Sequence, residues 1–387
     1  MSIEKKSKNN TLKVFEAFAG IGAQATAFKR LNINYEIVGI SEWFVNAIIC
    51  YDAIHCSDKE IEIPVYEEQL GYLNQFQFSG DSMHPIKKIK ALGRNVIEQL
   101  YIANKRSNNY GSITQLYGWQ MPETDLLVYS FPCQDLSTGG KALGMKKGSG
   151  TRSGLLWEIE RILLELKDLN RLPEYLLLEN VKNILAEVNK TDLNAWLNFL
   201  TSIGYQNDEF MMLDATDFGV PQDRQRAFLV SHLGSKTDVE KKIIKQEKNF
   251  DILKFLRTDY ENPVYRHEAD IAQLNRTPSR EVMWKKNGRE INDNTIIHTI
   301  TCNMDRTNTA ALFRYIGAKG DTYRRLTIRE AFLLMGFTEE EYEKTMCLEF
   351  SYRQMNKLIG NSIVVNILVE IFRSLFSEKY GKEDSCE

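Results

Sequence analysis

The chain has 387 residues, of which 43% are hydrophobic and 26% are charged. These proportions are ordinary for a soluble globular protein, and the length suffices for one large or two ordinary domains with apolar cores. No apolar run approaches the roughly 18 residues of a membrane span, and the polar first ten residues carry no signal-peptide core, so we expect a cytoplasmic protein without membrane contact.

The spacing of cysteine and histidine and the distribution of charge exclude further classes of function. The six cysteines and five histidines are scattered without paired spacing, so we predict neither a disulfide framework nor a bound metal. The net charge is −3, yet residues 236–325 contain 18 Lys and Arg against 13 Asp and Glu, while the remainder contains 31 against 39. Phosphate binding requires a local basic surface rather than global positive charge. Residues 236–325 are therefore the candidate region for binding an acidic partner.

The start of the chain is predicted to alternate strands and helices. A strand over 11–18 leads through a glycine turn into a helix over 23–31, and a second strand over 36–40 ends near an acidic residue, Glu42. This order is typical of a nucleotide-type cofactor site, since glycines let a ligand approach the backbone and the acid can bind ribose hydroxyls. The glycine spacing lacks the full dinucleotide pattern.

A proline and a cysteine follow the next predicted strand, which covers 125–130. Pro132 fixes its own φ and pushes the preceding residue towards extended geometry, so the strand should stop there. Cys133 then lies at the carboxyl end of a strand, followed by a loop rich in glycine and lysine. A thiol in this position suits a nucleophile, and the alternative is a small buried cysteine in a turn.

The rest of the chain is predicted to complete this domain and to add a smaller one. Residues 57–109 are interpreted as an insertion, and 235–325 as a second domain with few periodic runs. Asn361 and Ser362 are expected to cap a final apolar helix that returns to the first domain. The other predicted elements are helices over 85–105, 151–168, 193–203 and 326–336, strands over 175–178, 209–213 and 227–231, and a helical stretch over 354–376.

Seven short blocks resemble, in order and spacing, those of the C5-specific DNA cytosine methyltransferases, which are mostly bacterial modification enzymes. They span nearly the whole chain except 57–109 and most of 235–320. The blocks are Phe18-Ala19-Gly20-Ile21-Gly22, Glu42-Trp43, Phe131-Pro132-Cys133-Gln134, Glu179-Asn180-Val181, Gln222-Asp223-Arg224-Gln225-Arg226, Arg325-Leu326-Thr327-Ile328-Arg329-Glu330 and Gly360-Asn361-Ser362.

The resemblance implies an α/β, Rossmann-like fold of the S-adenosylmethionine-dependent methyltransferases, with a mostly parallel sheet flanked by helices. The catalytic, cofactor-binding domain would comprise 1–234 and 350–387. A smaller target-recognition domain would comprise 235–349.

The chemistry that the resemblance implies agrees with the residues present. C5 of cytosine is too electron-poor to take a methyl group directly, and a thiolate that adds at C6 makes C5 nucleophilic. We assign Cys133 as that nucleophile. The resemblance implies that Glu179 contacts N3 and the exocyclic amine and that Arg226 contacts O2, with Arg224 bracing the same pocket. The target base is buried in duplex DNA, so it must be flipped out.

The resemblance implies S-adenosyl-L-methionine as the cofactor and S-adenosyl-L-homocysteine as its product. Phe18 would flank the adenine, and Glu42 would bind the ribose hydroxyls. Ser112 stands where the family usually has Asp, so its hydrogen bond to the adenine amine would be neutral and weaker. The predicted cofactor-binding residues are Phe18, Ala19, Gly20, Ile21, Gly22, Glu42, Trp43, Ser112, Ile113, Asn361 and Ser362.

Double-stranded DNA is the partner that the resemblance implies. The loop over 139–152 has four basic residues and no acid, and we expect it to close over the DNA. The predicted DNA-binding residues are Gln134, Ser137, Lys141, Lys146, Lys147, Arg152, Arg276, Arg280, Thr299 and Arg306. We expect a monomer at the bacterial nucleoid, acting as an orphan methylase or as the modification half of a restriction–modification system whose endonuclease makes no stable contact.

Three alternatives stay open at this point. A degenerate homologue that only binds DNA is expected to lack the thiol, the glutamate or the arginine pair, and all of these are present. A tRNA-methylating member of the same fold tends to have a shorter recognition domain. A nicotinamide-dependent oxidoreductase has no use for Cys133 together with Glu179, and the glycine spacing is wrong for it.

Overall fold

The computed structural model describes residues 11–132, 145, 147, 153–287, 291, 295–304 and 311–382. The chain divides into two compact units. Unit 1 comprises Met1–Leu213, Gln225–Ile244 and Val369–Glu387, and unit 2 comprises Asp214–Arg224 and Lys245–Leu368.

A mixed sheet organises unit 1. In the described part of the chain it has seven strands in the order β2–β1–β3–β4–β8–β5, with β6 paired to β8. β1 to β4 pair with one another in parallel, whereas β8 runs antiparallel to β4 and to β5. The strands are β1 Leu12–Ala17, β2 Tyr35–Ser41, β3 Leu126–Tyr129, β4 Tyr175–Val181, β5 Tyr205–Asn207, β6 Met211–Asp214 and β8 Gln225–Leu233. The predicted α/β architecture is confirmed, and its sheet is mixed, with β1 to β4 parallel to one another and β8 antiparallel to β4 and β5.

Helices cover this sheet, and α5 shows how an apolar face does so. The helix α5 buries Leu156, Ile159 and Leu163 among core residues that include Leu127 of β3 and Leu176 of β4. The helices are α1 Ala23–Lys29, α2 Val45–His55, α3 Tyr66–Leu73, α4 Arg94–Arg106, α5 Leu156–Asp168, α6 Lys190–Ser202, α7 Val239–Lys242 and α13 Val365–Tyr380. From residue 369 onwards α13 belongs to unit 1, where Phe372 stacks on Phe28 with ring centroids 4.1 Å apart.

The insertion over 57–109 contains two helices, α3 and α4, rather than the single predicted helix over 85–105. α4 begins only at Arg94 because Gly93 adopts a φ of +82°, outside the helical region. The apolar face of α4 packs on α2, the helix that follows β2.

Unit 2 contains short sheets and short helices. β7 pairs in parallel with β9, and β10 pairs in antiparallel with β11. The elements are β7 Gln222–Asp223, α8 Pro263–Ala272, α9 Pro278–Asn287, β9 Ile297–His298, β10 Phe313–Gly317, β11 Gly320–Arg324, α10 Ile328–Leu333, α11 Glu339–Glu343 and α12 Tyr352–Asn361. Thr327 and Glu330 form a capping box at the start of α10, and Glu330 also pairs with the fully buried Arg324 at 2.8 Å.

Several boundaries differ from the sequence-based expectation. Residues 235–244 group with unit 1, and residues 350–368 group with unit 2. Residues 214–224 group with unit 2, since Gln222 pairs with Ile297 across β7 and β9. The helical stretch expected over 354–376 is broken, because α12 ends at Asn361 and α13 begins at Val365. Ser362 is therefore the C-cap of α12 and does not cap the start of the last helix.

By length and composition, the stretch Tyr352–Tyr380 could cross a membrane, and it is the one such stretch among the residues described. In the structure 56% of the apolar window is buried, and Leu368, Ile371 and Phe376 lie in the core. Core helices of soluble proteins can be equally long and apolar, so this stretch is weak evidence for a membrane span.

Candidate active site

The glycine turn after β1 leaves space beside the backbone. Gly20 has a φ of +58°, and a Cβ added there would meet no atom within 4 Å. Phe18 also adopts a positive φ of 59°, which is uncommon for a non-glycine residue. Ala19 and Ile21 bury their side chains, so any contact that they make with a ligand is through the backbone. The turn has the open, backbone-lined shape that a small-molecule site requires.

The helix α2 supports this turn from the protein side. Gly22 has a φ of +79°, and a Cβ there would lie 2.3 Å from Nε2 of His55 and 2.7 Å from the ring of Tyr51. Nε2 of His55 also lies 3.0 Å from the carbonyl oxygen of Ile21. Glycine is therefore required at position 22, and His55 holds the turn. Sequence reasoning missed His55, because nothing in its neighbourhood marks it as a partner of a turn 33 residues earlier.

Glu42 joins the end of β2 to the glycine turn. Its Oε2 accepts from the N–H of Gly20 at 2.9 Å, and its Oε1 accepts from the N–H groups of Trp43 and Phe44, both at 2.8 Å. Burial raises the pKa of the Glu42 carboxyl, and the three N–H donors oppose that shift. The carboxylate thus lies at the turn, where the sequence predicts a ribose-binding acid, and Trp43 beside it is partly exposed.

Asn109 connects this acid to the segment that precedes Ser112. Its Oδ1 accepts from the N–H groups of Glu42 at 2.9 Å and Gly111 at 3.1 Å, and its Nδ2 donates to the carbonyl of Glu42 at 3.0 Å. Ser112 is buried, and its Oγ lies 2.9 Å from Oγ1 of Thr114. Ile113 is also buried. The structure therefore brings Ser112 close in space to Glu42, and its contact with an adenine stays a prediction.

At the carboxyl ends of β3 and β4, the chain that leads to Cys133 is fixed. Nδ2 of Asn180 donates to the carbonyl of Phe131 at 3.1 Å, and Oγ of Ser153 donates to the carbonyl of Pro132 at 2.9 Å. Asn180 is buried and also accepts from the N–H of Val181 at 2.8 Å. Cys133 itself lies outside the described residues. The two carbonyls before it are nonetheless held at the edge where β4 presents its last residues.

Glu179 and Arg226 meet on the next pair of strands. In the antiparallel register Glu179 pairs with Phe228 and Val181 with Arg226, so the side chains of residues 179 and 226 share one face. Nε of Arg226 lies 3.4 Å from Oε1 of Glu179, and their side chains are only 15% and 10% exposed. The structure thus brings together a buried acid and a cation that the sequence predicts for one pocket.

Arg224 lies in unit 2 and is 2% exposed. It donates to three backbone carbonyls, those of Ile300 at 2.8 Å, Gly360 at 3.1 Å and Ser362 at 2.6 Å. These contacts give it a structural place within unit 2, and its predicted role in bracing the base pocket stays a prediction. Asn361 and Ser362 also belong to unit 2, the first exposed and the second buried.

Several predicted DNA-binding residues have protein partners. Lys147 lies 2.5 Å from Glu160, Arg276 lies 2.5 Å from Glu281, and Nη1 of Arg280 donates to the carbonyl of Asn275 at 3.1 Å. Thr299 donates its hydroxyl to the carbonyl of Asp223. The predicted residues outside the described part of the chain are Gln134, Ser137, Lys141, Lys146, Arg152 and Arg306.

Arg276 lines a cavity of about 520 Å³ in unit 2. The cavity walls include the apolar side chains of Leu312 and Trp284 and the cations of Lys285 and Arg314. Glu281 and Asp321 line the same cavity and pair with Arg276 and Arg314, so its charges are largely balanced. In the part of the chain that the structure describes, no group of three or more His, Cys, Asp or Glu side chains could hold a metal ion.

Comparison with known proteins assigns the chain to a family. The family model described as C-5 cytosine-specific DNA methylase matches residues 92–377. The chain is 36% identical over 391 residues to the orphan methyltransferase M.SssI of Spiroplasma monobiae, covering 95% of this chain and 98% of that protein. It is 33% identical over 387 residues to the type II methyltransferase M2.ScrFI of Lactococcus lactis subsp. cremoris, covering 95% and 100%.

Solved structures show the same fold. The Dnmt2 methyltransferase of S. pombe superimposes with a TM-score of 0.64 at 20% identity, covering 95% of this chain and 98% of that one. The methyltransferase EhMeth of Entamoeba histolytica superimposes with a TM-score of 0.65 at 15% identity, covering 96% and 99%. The fold is therefore that of the α/β methyltransferases. Because the family model covers most of the chain, the protein belongs to the C-5 cytosine-specific DNA methylase family.

Proposed function

We propose that the protein transfers a methyl group from S-adenosyl-L-methionine to C5 of a cytosine flipped out of duplex DNA, through a covalent bond between Cys133 and C6. The observation that carries the proposal is the buried pair of Glu179 and Arg226, 3.4 Å apart, next to the fixed backbone of Phe131 and Pro132. A nucleophile, an acid and a cation at one sheet edge are what this chemistry requires.

The residues at the glycine turn fit the proposed cofactor. When bound, S-adenosyl-L-methionine supplies a methyl group activated by a sulfonium. The open space at Gly20 admits a ligand close to the backbone, and the Glu42 carboxylate beside it can accept hydrogen bonds from ribose hydroxyls. Ser112, fixed near Glu42 through Asn109, offers a neutral hydroxyl to the adenine amine.

In the proposed reaction, Cys133, Glu179 and Arg226 each have a separate role. The thiolate of Cys133 adds to C6, and the electron pair of the C5–C6 double bond becomes available at C5 to take the methyl group. Glu179 hydrogen-bonds N3 and the exocyclic amine, and Arg226 stabilises the charge that builds on O2. Loss of the C5 proton to a base restores the double bond and releases the thiolate. Burial of the Glu179–Arg226 pair strengthens both contacts, because water screens them less.

The substrate and setting follow from the same proposal. We propose duplex DNA as the partner, read by unit 2 through residues such as Arg276, Arg280 and Thr299. The relatives include both orphan and type II methyltransferases, so both settings are proposed, with no stable contact to an endonuclease. We propose a cytoplasmic monomer that works at the nucleoid.

The test is transfer of labelled methyl groups to nucleic acid. Purified protein is incubated with [methyl-³H]S-adenosyl-L-methionine and, in separate arms, plasmid DNA, single-stranded DNA and total tRNA. Incorporation into duplex DNA, lost in Cys133→Ala, supports the proposal, and base-resolution mapping then gives the target sequence. Incorporation into tRNA alone, transfer to no nucleic acid, or full activity of Cys133→Ala would refute it.

A further inference from the structure

A buried amide network connects the insertion over 57–109 to the predicted cofactor segments of unit 1. Asn104 of α4 is fully buried, and its Nδ2 donates to the hydroxyl of Tyr72 in α3 at 3.0 Å and to the carbonyl of Asn109 at 3.1 Å. Its Oδ1 accepts from Nδ2 of Asn109 at 2.7 Å. The two asparagines are therefore bound to each other, and Tyr72 holds Asn104 from the side of α3.

Asn109 continues this network to Glu42 and to the residue before Ser112. Its side chain binds both backbone groups of Glu42, accepting from the N–H at 2.9 Å and donating to the carbonyl at 3.0 Å. The same Oδ1 accepts from the N–H of Gly111 at 3.1 Å. With the bond to Asn104, the amide of Asn109 makes four hydrogen bonds, which is its full capacity. Loss of this side chain would leave the backbone of both segments without these partners, so each segment could shift.

A second part of the insertion contacts the same two segments. Gly111 has a φ of +70°, and a Cβ added there would lie 3.1 Å from Cβ of Phe76. The N–H of Ser79 donates to the carbonyl of Trp43 at 2.7 Å. The insertion therefore contacts the chain next to both predicted nucleoside-binding side chains, at Trp43 directly after the acid and at Gly111 directly before Ser112.

We propose that Asn104, acting through Asn109, is a positioning residue that fixes the Glu42 carboxylate and the Ser112 hydroxyl for cofactor binding. The inference rests on the proposed function, in which Glu42 binds the ribose and Ser112 meets the adenine amine. Neither asparagine touches the cofactor. Because a neutral hydroxyl gives a weaker hydrogen bond than a carboxylate, affinity depends on holding both groups in place before the cofactor binds. The insertion supplies that rigidity.

The experiment measures the Kd of S-adenosyl-L-homocysteine by calorimetry, without DNA, for the unmodified protein and for three variants along the network. We expect Kd to rise about tenfold in Asn109→Ala and about threefold in Asn104→Leu, as for hydrogen bonds of typical strength. Tyr72→Phe should raise Kd by less than about twofold, because Asn104 keeps its bonds to Asn109. In methyl transfer, the KM for S-adenosyl-L-methionine should rise with Kd, while kcat at saturating cofactor falls by less than about twofold.

A double variant and a matched control separate positioning from general loosening. If Asn104 acts through Asn109, adding Asn104→Leu to Asn109→Ala should raise Kd no further, whereas independent effects would multiply. Asn189→Ala is the control, because Asn189 is also buried in unit 1 and donates from Nδ2 to the carbonyl of Asn183 at 2.7 Å. This variant should lower stability and leave Kd unchanged. All variants are checked for folding by circular dichroism, and Asn104→Leu carries the test if Asn109→Ala does not fold.

The outcomes separate this inference from the proposed function. An unchanged Kd in folded Asn104→Leu, a further rise in the double variant, or an equal rise in Asn189→Ala would overturn the inference, while methyl transfer in the same samples leaves the proposed function intact. A fall in kcat with an unchanged KM for the cofactor would also overturn it, since the network would then act on the reaction and not on cofactor binding. Absence of both S-adenosyl-L-homocysteine binding and methyl transfer in the unmodified protein would refute the proposed function itself.

Discussion

Glu16 makes the stability of unit 1 depend on pH. It lies within β1 and is fully buried. Burial raises its pKa to about 8, and the nearby Tyr51 hydroxyl and Ala25 backbone offset this only in part. Between the ordinary pKa of Glu and this raised pKa, the native protein therefore keeps the Glu16 proton. The unfolded chain has already released it at the same pH.

The direction and size of the effect follow from linkage. The stabilisation from protonated Glu16 is fully present below the unfolded pKa of about 4.3 and is lost as pH rises through the folded pKa of about 8. Each pH unit between these values lowers the free energy of unfolding by about 1.4 kcal/mol. Between about pH 5.5 and pH 7.5 the loss is about 3 kcal/mol. Glu16→Gln is a neutral isostere that does not titrate, so it removes this loss.

The assay is urea unfolding of both proteins at several pH values, followed by circular dichroism. We expect the Gln variant to gain about 3 kcal/mol over the unmodified protein between about pH 5.5 and pH 7.5. A difference between the two proteins that stays constant over this range would refute the reasoning. Asp125→Asn is the control. The Asp125 carboxylate accepts from the N–H of Lys13, which lies on β1 like Glu16, and this variant should not reproduce the gain.

Three further predictions concern the glycine turn and the sheet edge. Glu179→Gln and Arg226→Ala should each lower kcat by about 10²–10³ with little change in the KM for cofactor, measured by methyl transfer; an unchanged kcat would remove both from the reaction. Gly22→Ala should destabilise the protein by at least about 1–2 kcal/mol, because position 22 has a positive φ and the added Cβ clashes with His55. Adding His55→Ala to Gly22→Ala should recover part of that loss in a thermal melt. No recovery would exclude the clash. Asn180→Ala should cost about 1–3 kcal/mol by leaving the carbonyl of Phe131 unsatisfied and should slow methyl transfer, whereas full activity would show that this carbonyl does not position Cys133.

The strands and the glycine turn could be predicted because local patterns determine them. Apolar runs such as 175–178 had to become buried strands, and parallel strands bring their carboxyl ends to one edge. Glu179 lies at that edge at the carboxyl end of β4, and Arg226 reaches it from the amino end of β8, because β8 runs antiparallel to β4. Glu42 was likewise found from its place after a strand.

The remaining features depend on tertiary contacts that a single sequence does not reveal. Asn109, at the end of a segment interpreted only as an insertion, ties Glu42 to Gly111, the residue before Ser112. Arg224 lies in a motif that resembles catalytic machinery, yet its three contacts are to backbone carbonyls. The helices α8 and α9 were missed, although Asn262 before Pro263 is a recognisable N-cap and first-turn signal.

The covalent bond at Cys133 is the central claim, and 5-fluorocytosine tests it most directly. A fluorine at C5 cannot leave as the proton does, so an adduct that has taken the methyl group cannot release the thiolate. Duplex DNA with 5-fluorocytosine at the mapped target is incubated with protein and S-adenosyl-L-methionine, then analysed on a denaturing gel and by peptide mass spectrometry. We expect a stable complex linked at Cys133 that is absent from Cys133→Ala. Linkage at another residue, or turnover on ordinary DNA without any trapped complex, would contradict the account.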